Sequence, residues 1–125
     1  MANSNLNIKI VPFFDSVKNP LAADGTSKGY WVNGYDNLAV EVSGTGSGTI
    51  VVQGCINTLN AGDQQMEDQD INWTDLSMLS ATNYSQKATI TENGIYYVGV
   101  SGISRVRIQA TGVSGTLTIV GAFSK

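Results

Sequence analysis

Alternation of apolar and polar residues with a period of two runs through most of this chain. It is clearest from Asn93 to Phe123, where Ile95-Tyr96-Tyr97-Val98-Gly99-Val100, Arg105-Val106-Arg107-Ile108-Gln109-Ala110 and Thr116-Leu117-Thr118-Ile119-Val120-Gly121 read as three consecutive strands. Val100-Ser101-Gly102 and Val113-Ser114-Gly115 separate them. Both place Ser-Gly where a hairpin needs a residue tolerant of positive φ, and Val42-Ser43-Gly44 repeats the pattern upstream. The pattern predicts three antiparallel strands joined by two tight hairpins.

From the N-terminal side, Leu6, Ile8 and Ile10 alternate with Asn7 and Lys9. They predict a first strand with those three residues on one face, which Pro12 ends or marks as an edge. Phe13 to Ser27 has no clean period and carries Pro20 and Asp24-Gly25, so residues 1–27 are expected to form a strand and an irregular arm, with residues 28–125 as the β domain. Phe13 and Phe14 either reach across a neighbouring subunit or close one end of the domain's own core.

Tyr30 and Val32 share a face opposite Trp31. Leu38, Val40 and Val42 then alternate up to Gly44-Thr45-Gly46-Ser47-Gly48, and Ile50, Val52 and Gly54 resume beyond it, which predicts a hairpin with a glycine-rich tip. That loop feeds β-branched residues rather than a helix, so it lacks the setting of a phosphate cradle. Ile71, Trp73 and Leu76 are expected to face inward, and Asn93-Gly94 is the strongest two-residue hairpin signal in the chain. The expected fold is all-β: an antiparallel sandwich of jelly-roll type, with about eight or nine strands and no significant helix.

Composition narrows the function. The 125 residues suit one domain. Charged residues make up only 14%, against roughly 25% in an average soluble domain, leaving a neutral, hydrogen-bonding surface suited to proteins or sugars. A net charge of −3, with Arg105 and Arg107 the only local basic cluster, argues against nucleic acid. No apolar run approaches the roughly 20 residues of a membrane span, and Met1-Ala2-Asn3-Ser4-Asn5 does not resemble a secretory leader, so synthesis in a cytoplasm is expected.

The chain holds no histidine, which removes every histidine-based triad, acid–base pair and zinc site. The single cysteine, Cys55, reads as a small core residue. Glu41 and Glu92, the carboxylates flanked by strand sequence, read as solvent-facing rather than as a glycosidase pair. The acidic stretch from Asn57 to Asp70, with Asp63, Glu67 and Asp68, matches no EF-hand loop and reads as a solvated insert. No enzyme activity, cofactor or metal is expected. Candidate contacts remain: Phe13, Phe14, Trp31 and Tyr35 for a protein partner, and Trp73, Tyr96, Arg105 and Arg107 for a ligand such as a sugar. Alternation pairs Tyr96 with Val98 and Val100, and Tyr97 with Ile95, without deciding which pair is inside.

Three segments carry a resemblance. Leu38 to Gly54, Asn72-Trp73-Thr74-Asp75-Leu76-Ser77, and Asn93 to Val98 continuing through Val106-Arg107-Ile108 to Gly121 resemble a small β-sandwich module of tailed-bacteriophage virion proteins, over about two thirds of the chain. In that family the Asn-Trp-Thr-Asp-Leu segment closely follows the Gln-Gly strand; here residues 57–70 intervene. The Trp-Thr and Val-Arg-Ile elements are also similar to galactose-binding-like jelly rolls. The resemblance implies a capsid decoration (cement) or head fibre protein in the virion, binding the major capsid protein or other virion subunits as a homo-oligomer. The alternative it implies is a tail or baseplate module that binds a cell-surface glycan.

Overall fold

The computed structural model describes residues 8–15 and 17–125. They form eleven strand segments: β1 (Ile8–Phe14), β2 (Gly25–Thr26), β3 (Tyr30–Trp31), β4 (Asn37–Gly44), β5 (Ser47–Cys55), β6 (Thr74–Asp75), β7 (Met78–Ser80), β8 (Gln86–Lys87), β9 (Gly94–Gly99), β10 (Arg105–Ser114) and β11 (Leu117–Ser124). A 3-10 turn at Asp68–Asp70 is the one helical element among the described residues. Among the described residues no helix is long and apolar enough to cross a membrane.

The strands form an antiparallel β-sandwich. Sheet A runs β1-β11-β4-β9-β7-β8, and sheet B runs β2-β10-β5-β6 with β3 also on β10. Five of the eleven segments have only two or three residues, which is why the sequence pattern predicts fewer. Between the sheets, Leu38, Val40 and Val42 from β4 meet Ile50 and Val52 from β5, Val106 and Ile108 from β10, and Ile119 and Phe123 from β11, all nearly or fully buried. Tyr96, Val98 and Val100 also point inward, leaving Ile95 and Tyr97 outside.

The predicted hairpins are replaced by arches. β4 pairs with β11 and β9, whereas β5 pairs with β10 and β6, so Gly44 to Ser47 carries the chain from one sheet to the other. Val113-Ser114-Gly115 likewise passes from β10 in sheet B to β11 in sheet A, and Ser101-Gly102 from β9 in sheet A to β10 in sheet B. Asn93-Gly94 opens β9 without joining it to β8, because Ile90 first bridges to Ile50 of sheet B. A hairpin and an arch show the same alternation. In a hairpin the inward residues share one face of one sheet; in an arch they face each other across the core.

The two arches at Gly44–Ser47 and Ser114–Leu117 lie against each other. The Gly46 amide donates to the Thr116 carbonyl at 2.9 Å, and the Ser47 and Ser114 hydroxyls are 3.0 Å apart. A Cβ at Gly46 would fall 2.6 Å from the Ser114 carbonyl oxygen, and one at Gly115, where φ is +70°, would fall 2.7 Å from the Gly46 Cα. Only glycine permits that approach.

Residues 8–14 and Leu21 are built into the sandwich. β1 is the edge strand of sheet A, with a register irregularity between Pro12 and Phe14, and Leu21 bridges to Leu117. Its buried residues are Val11, Phe13 and Phe14, while Ile8 and Ile10 face solvent, so the core face of this strand is the reverse of the expected one. Leu6 lies outside the described residues. Pro12 marks the edge and does not end the strand. Phe13 is fully buried and meets the Tyr30 ring edge-on at 5.2 Å, which anchors it in the domain's own core.

Gly46→Ala and Gly115→Ala should each cost about 2–4 kcal/mol through backbone contact and strain. Gly99→Ala, with nothing within 4 Å of its added methyl, should change stability by less than about 0.5 kcal/mol. Urea unfolding of the three variants checks the difference.

Candidate functional site

The outer face of sheet B gathers several predicted contact residues and closes them off. Along β10, Val106 and Ile108 point into the core, so Arg105 and Arg107 point out, as their spacing predicts. Arg107 pairs in register with Gln53 and Gln53 with Asp75. The side chains follow the same row: Arg107 Nε donates to Gln53 Oε1 at 2.8 Å, and Gln53 Nε2 donates to Asp75 Oδ1 at 2.9 Å. The Arg107 guanidinium lies 4.4 Å from the centre of the Trp73 ring.

Arg105 is held harder. Its Nη1 donates to Asp68 Oδ1 and to the Met66 carbonyl, both at 3.0 Å, and its Nη2 to Gln65 Oε1 at 3.1 Å. The guanidinium also stacks on Trp31 at 4.4 Å, and the whole side chain is buried. Asp68 in turn accepts the Gly29 amide at 2.6 Å, and its carbonyl accepts Trp73 Nε1 at 2.8 Å. The acidic insert is therefore not simply a solvated loop: residues 65–68 fold onto sheet B and accept from both Nη atoms of Arg105, whose buried Nε has no partner among the described residues, while Asp63, Glu67 and Asp70 stay exposed.

These contacts reassign the candidate ligand residues. Arg105 spends its Nη donors on its own chain, and Trp73 is half-buried between Arg107 and the insert. Tyr96 is buried, with its hydroxyl donating to the Glu92 carbonyl at 2.8 Å. Tyr35 stacks on Phe123 at 6.2 Å against the core, and Trp31 alone of the four named protein contacts is well exposed. Sequence reasoning missed Gln53, Gln65, Asp68 and Asp75. Gln53 was legible as the polar position between Val52 and Gly54; the docking of the insert was not.

Cys55 pairs with Arg105 across β5 and β10 and lines a shallow cavity of about 440 Å³ with Met66 and Asp70 of the insert. Burial raises its thiol pKa, the neighbouring Arg105 pulling it partly back.

The outer face of sheet A is open. Ile10, Ala122, Ala39, Tyr97 and Leu79 lie side by side across five strands, and Pro12, Val120, Glu41 and Ile95 form the next row. Ile10 is 62% exposed, Tyr97 48%, Ile8 47%, Leu79 43% and Ile95 41%. Glu41 is the one formally charged side chain in these rows. Six strands spaced by about 4.8 Å make this face roughly 24 Å wide.

The fold and these faces define a small two-sheet β module with one face partly covered by its own insert and the other apolar and, among the described residues, uncovered. No family model and no curated protein matches the sequence. Solved structures do share the fold. The chain is similar to the SPBc2 prophage-derived protein YomS, with a TM-score of 0.76 and 17% identity over 94% of this chain and 93% of that one. It is also similar to the PBSX exported protein XepA, with a TM-score of 0.73 and 13% identity over 94% of this chain and 38% of that one.

Replacing Arg105 by Met should leave Asp68 unpaired and cost about 2–3 kcal/mol. The loosened insert should raise the reaction rate of Cys55 with a disulfide reagent at least about tenfold under native conditions. Thiol titration alongside urea unfolding checks both.

Proposed function

We propose that this protein is a non-enzymatic structural protein of a phage particle, a capsid decoration (cement) or head fibre protein made in the host bacterial cytoplasm. It sits on the outer surface of the head, binds the major capsid protein or other virion subunits and further copies of itself, and reinforces the shell by protein contacts. The observation that carries this reading is the uncovered apolar face of sheet A around Ile8, Ile10, Val120 and Ile95, since exposed contiguous apolar surface marks interaction sites. The shared fold with a prophage-derived protein supports the phage context.

Magnitudes favour a repeated weak contact. Burying the exposed halves of Ile8, Ile10 and Ile95 is worth about 1 kcal/mol each, too little alone against an association cost of about 4–15 kcal/mol. Copies held together on a regular lattice overcome that cost by avidity. Partner contacts consequently move from Phe13 and Phe14, which hold the core, to Ile8 and Ile10, whose face the sequence pattern turns inward, and to Ile95, whose side that pattern leaves open.

Ile10→Glu and Ile95→Glu place a charge on this face without touching the core, so each should leave the unfolding midpoint nearly unchanged. Occupancy on purified particles, read by gel densitometry, should fall at least about tenfold. Normal occupancy of both variants, or immunogold label on the tail and not the head, would overturn the proposal.

A further inference from the structure

Sheet A carries a second feature on the side away from β1. Between β4, β7 and β9 the outer surface sinks into a groove of about 530 Å³, within the roughly 300–1,000 Å³ of small-molecule sites. Tyr97 and Leu79, each almost half exposed, stand in it, with Asn37, Ser77, Gln86 and Ser124 also in its lining. No lining residue carries a formal charge.

We propose that this groove is a binding site for a neutral saccharide ring. Among the described residues nothing aromatic or cationic stacks on Tyr97, in contrast to Trp31 and Trp73, which hold arginines. Asn37, Ser77, Gln86 and Ser124 all line the groove, and within the described residues their side chains make no hydrogen bond, so two amides and two hydroxyls are available there to an occupant.

That inventory selects the ligand. A purely apolar side chain from another protein would cover these polar groups without satisfying them, at about 1–3 kcal/mol for each one left unpaired. An ion would find no counter-charge. A sugar ring meets both requirements: its C–H face lies against the tyrosine ring, and its hydroxyl or acetamido groups exchange hydrogen bonds with the amides and serines. The sequence pointed a glycan toward Trp73, Tyr96, Arg105 and Arg107; the open ring is Tyr97, whose parity places it on the other face of β9 from Tyr96. This site does not rest on the docking reading, which uses Ile8, Ile10 and Ile95.

The test uses the full ¹⁵N-labelled chain against neutral hexose and N-acetylhexosamine oligosaccharides, each taken to about 10 mM, the range of weak single-ring binding. At least one should shift amide signals confined to 37–39, 77–79, 86, 97–99 and 124. Tyr97→Ala should then weaken that binding at least about tenfold, Gln86→Ala about threefold to tenfold, and Tyr97→Phe less than about threefold. Tyr84→Ala, which removes the more exposed tyrosine at 72%, should leave it unchanged and controls for loss of a surface ring. The proposal is overturned if no saccharide moves these signals, if binding survives Tyr97→Ala in a variant with wild-type unfolding, or if the same signals move on diluting the protein alone, which would make the occupant a second copy.

Discussion

Close contact between two glycine arches is the constraint on which the rest of this structure depends. Because Gly46 and Gly115 have no side chains, the backbone at Gly44–Ser47 lies directly on that at Ser114–Leu117. The contact sets two registers at once: Gly44 opposite Leu117 in sheet A, and Ser47 opposite Ser114 in sheet B. A slip of one residue in either pairing would turn Val40 and Val42, or Ile108 and Ala110, out to solvent. The arches thus align both central strand pairs, and the inward side chains of β4 and β5 face each other across the core.

With the interior settled, the two outer faces differ in how they treat their polar groups. On sheet B, charge and aromatic surface are consumed internally. Arg105 and Arg107 each lie on a tryptophan, and residues 65–68 of the insert supply acceptors for the Nη atoms of the buried Arg105 guanidinium. Such an arrangement orders a long insert and leaves little for an external ligand. Among the described residues no insert covers sheet A, so its isoleucines and Tyr97 remain at the surface.

Much of this was legible in the residues. Leu38, Val40, Val42, Ile50, Val52, Val106 and Ile108 are buried where period-two alternation put them, and Arg105 and Arg107 share the outward face. Other readings failed for identifiable reasons. Ile8 and Ile10 are as apolar as Val11 and Phe13, so alternation alone could not say which parity faced the core; the two phenylalanines win because they bury more area and Phe13 finds Tyr30. The acidic insert has no periodicity, and its attachment depends on a salt bridge between residues 37 positions apart in the chain.

Local chemistry by itself determined that this chain forms strands, where they alternate, and where glycine or Ser-Gly turns it, because side-chain parity and backbone freedom are properties of neighbouring residues. Only the tertiary structure decided whether each turn folds back within a sheet or crosses to the other. The two choices place the same residues in the same alternation and differ in which distant strand supplies the hydrogen bonds. That choice brought the insert onto Arg105, turned Phe13 and Phe14 inward, and left Ile10, Ile95 and Tyr97 together on an open face.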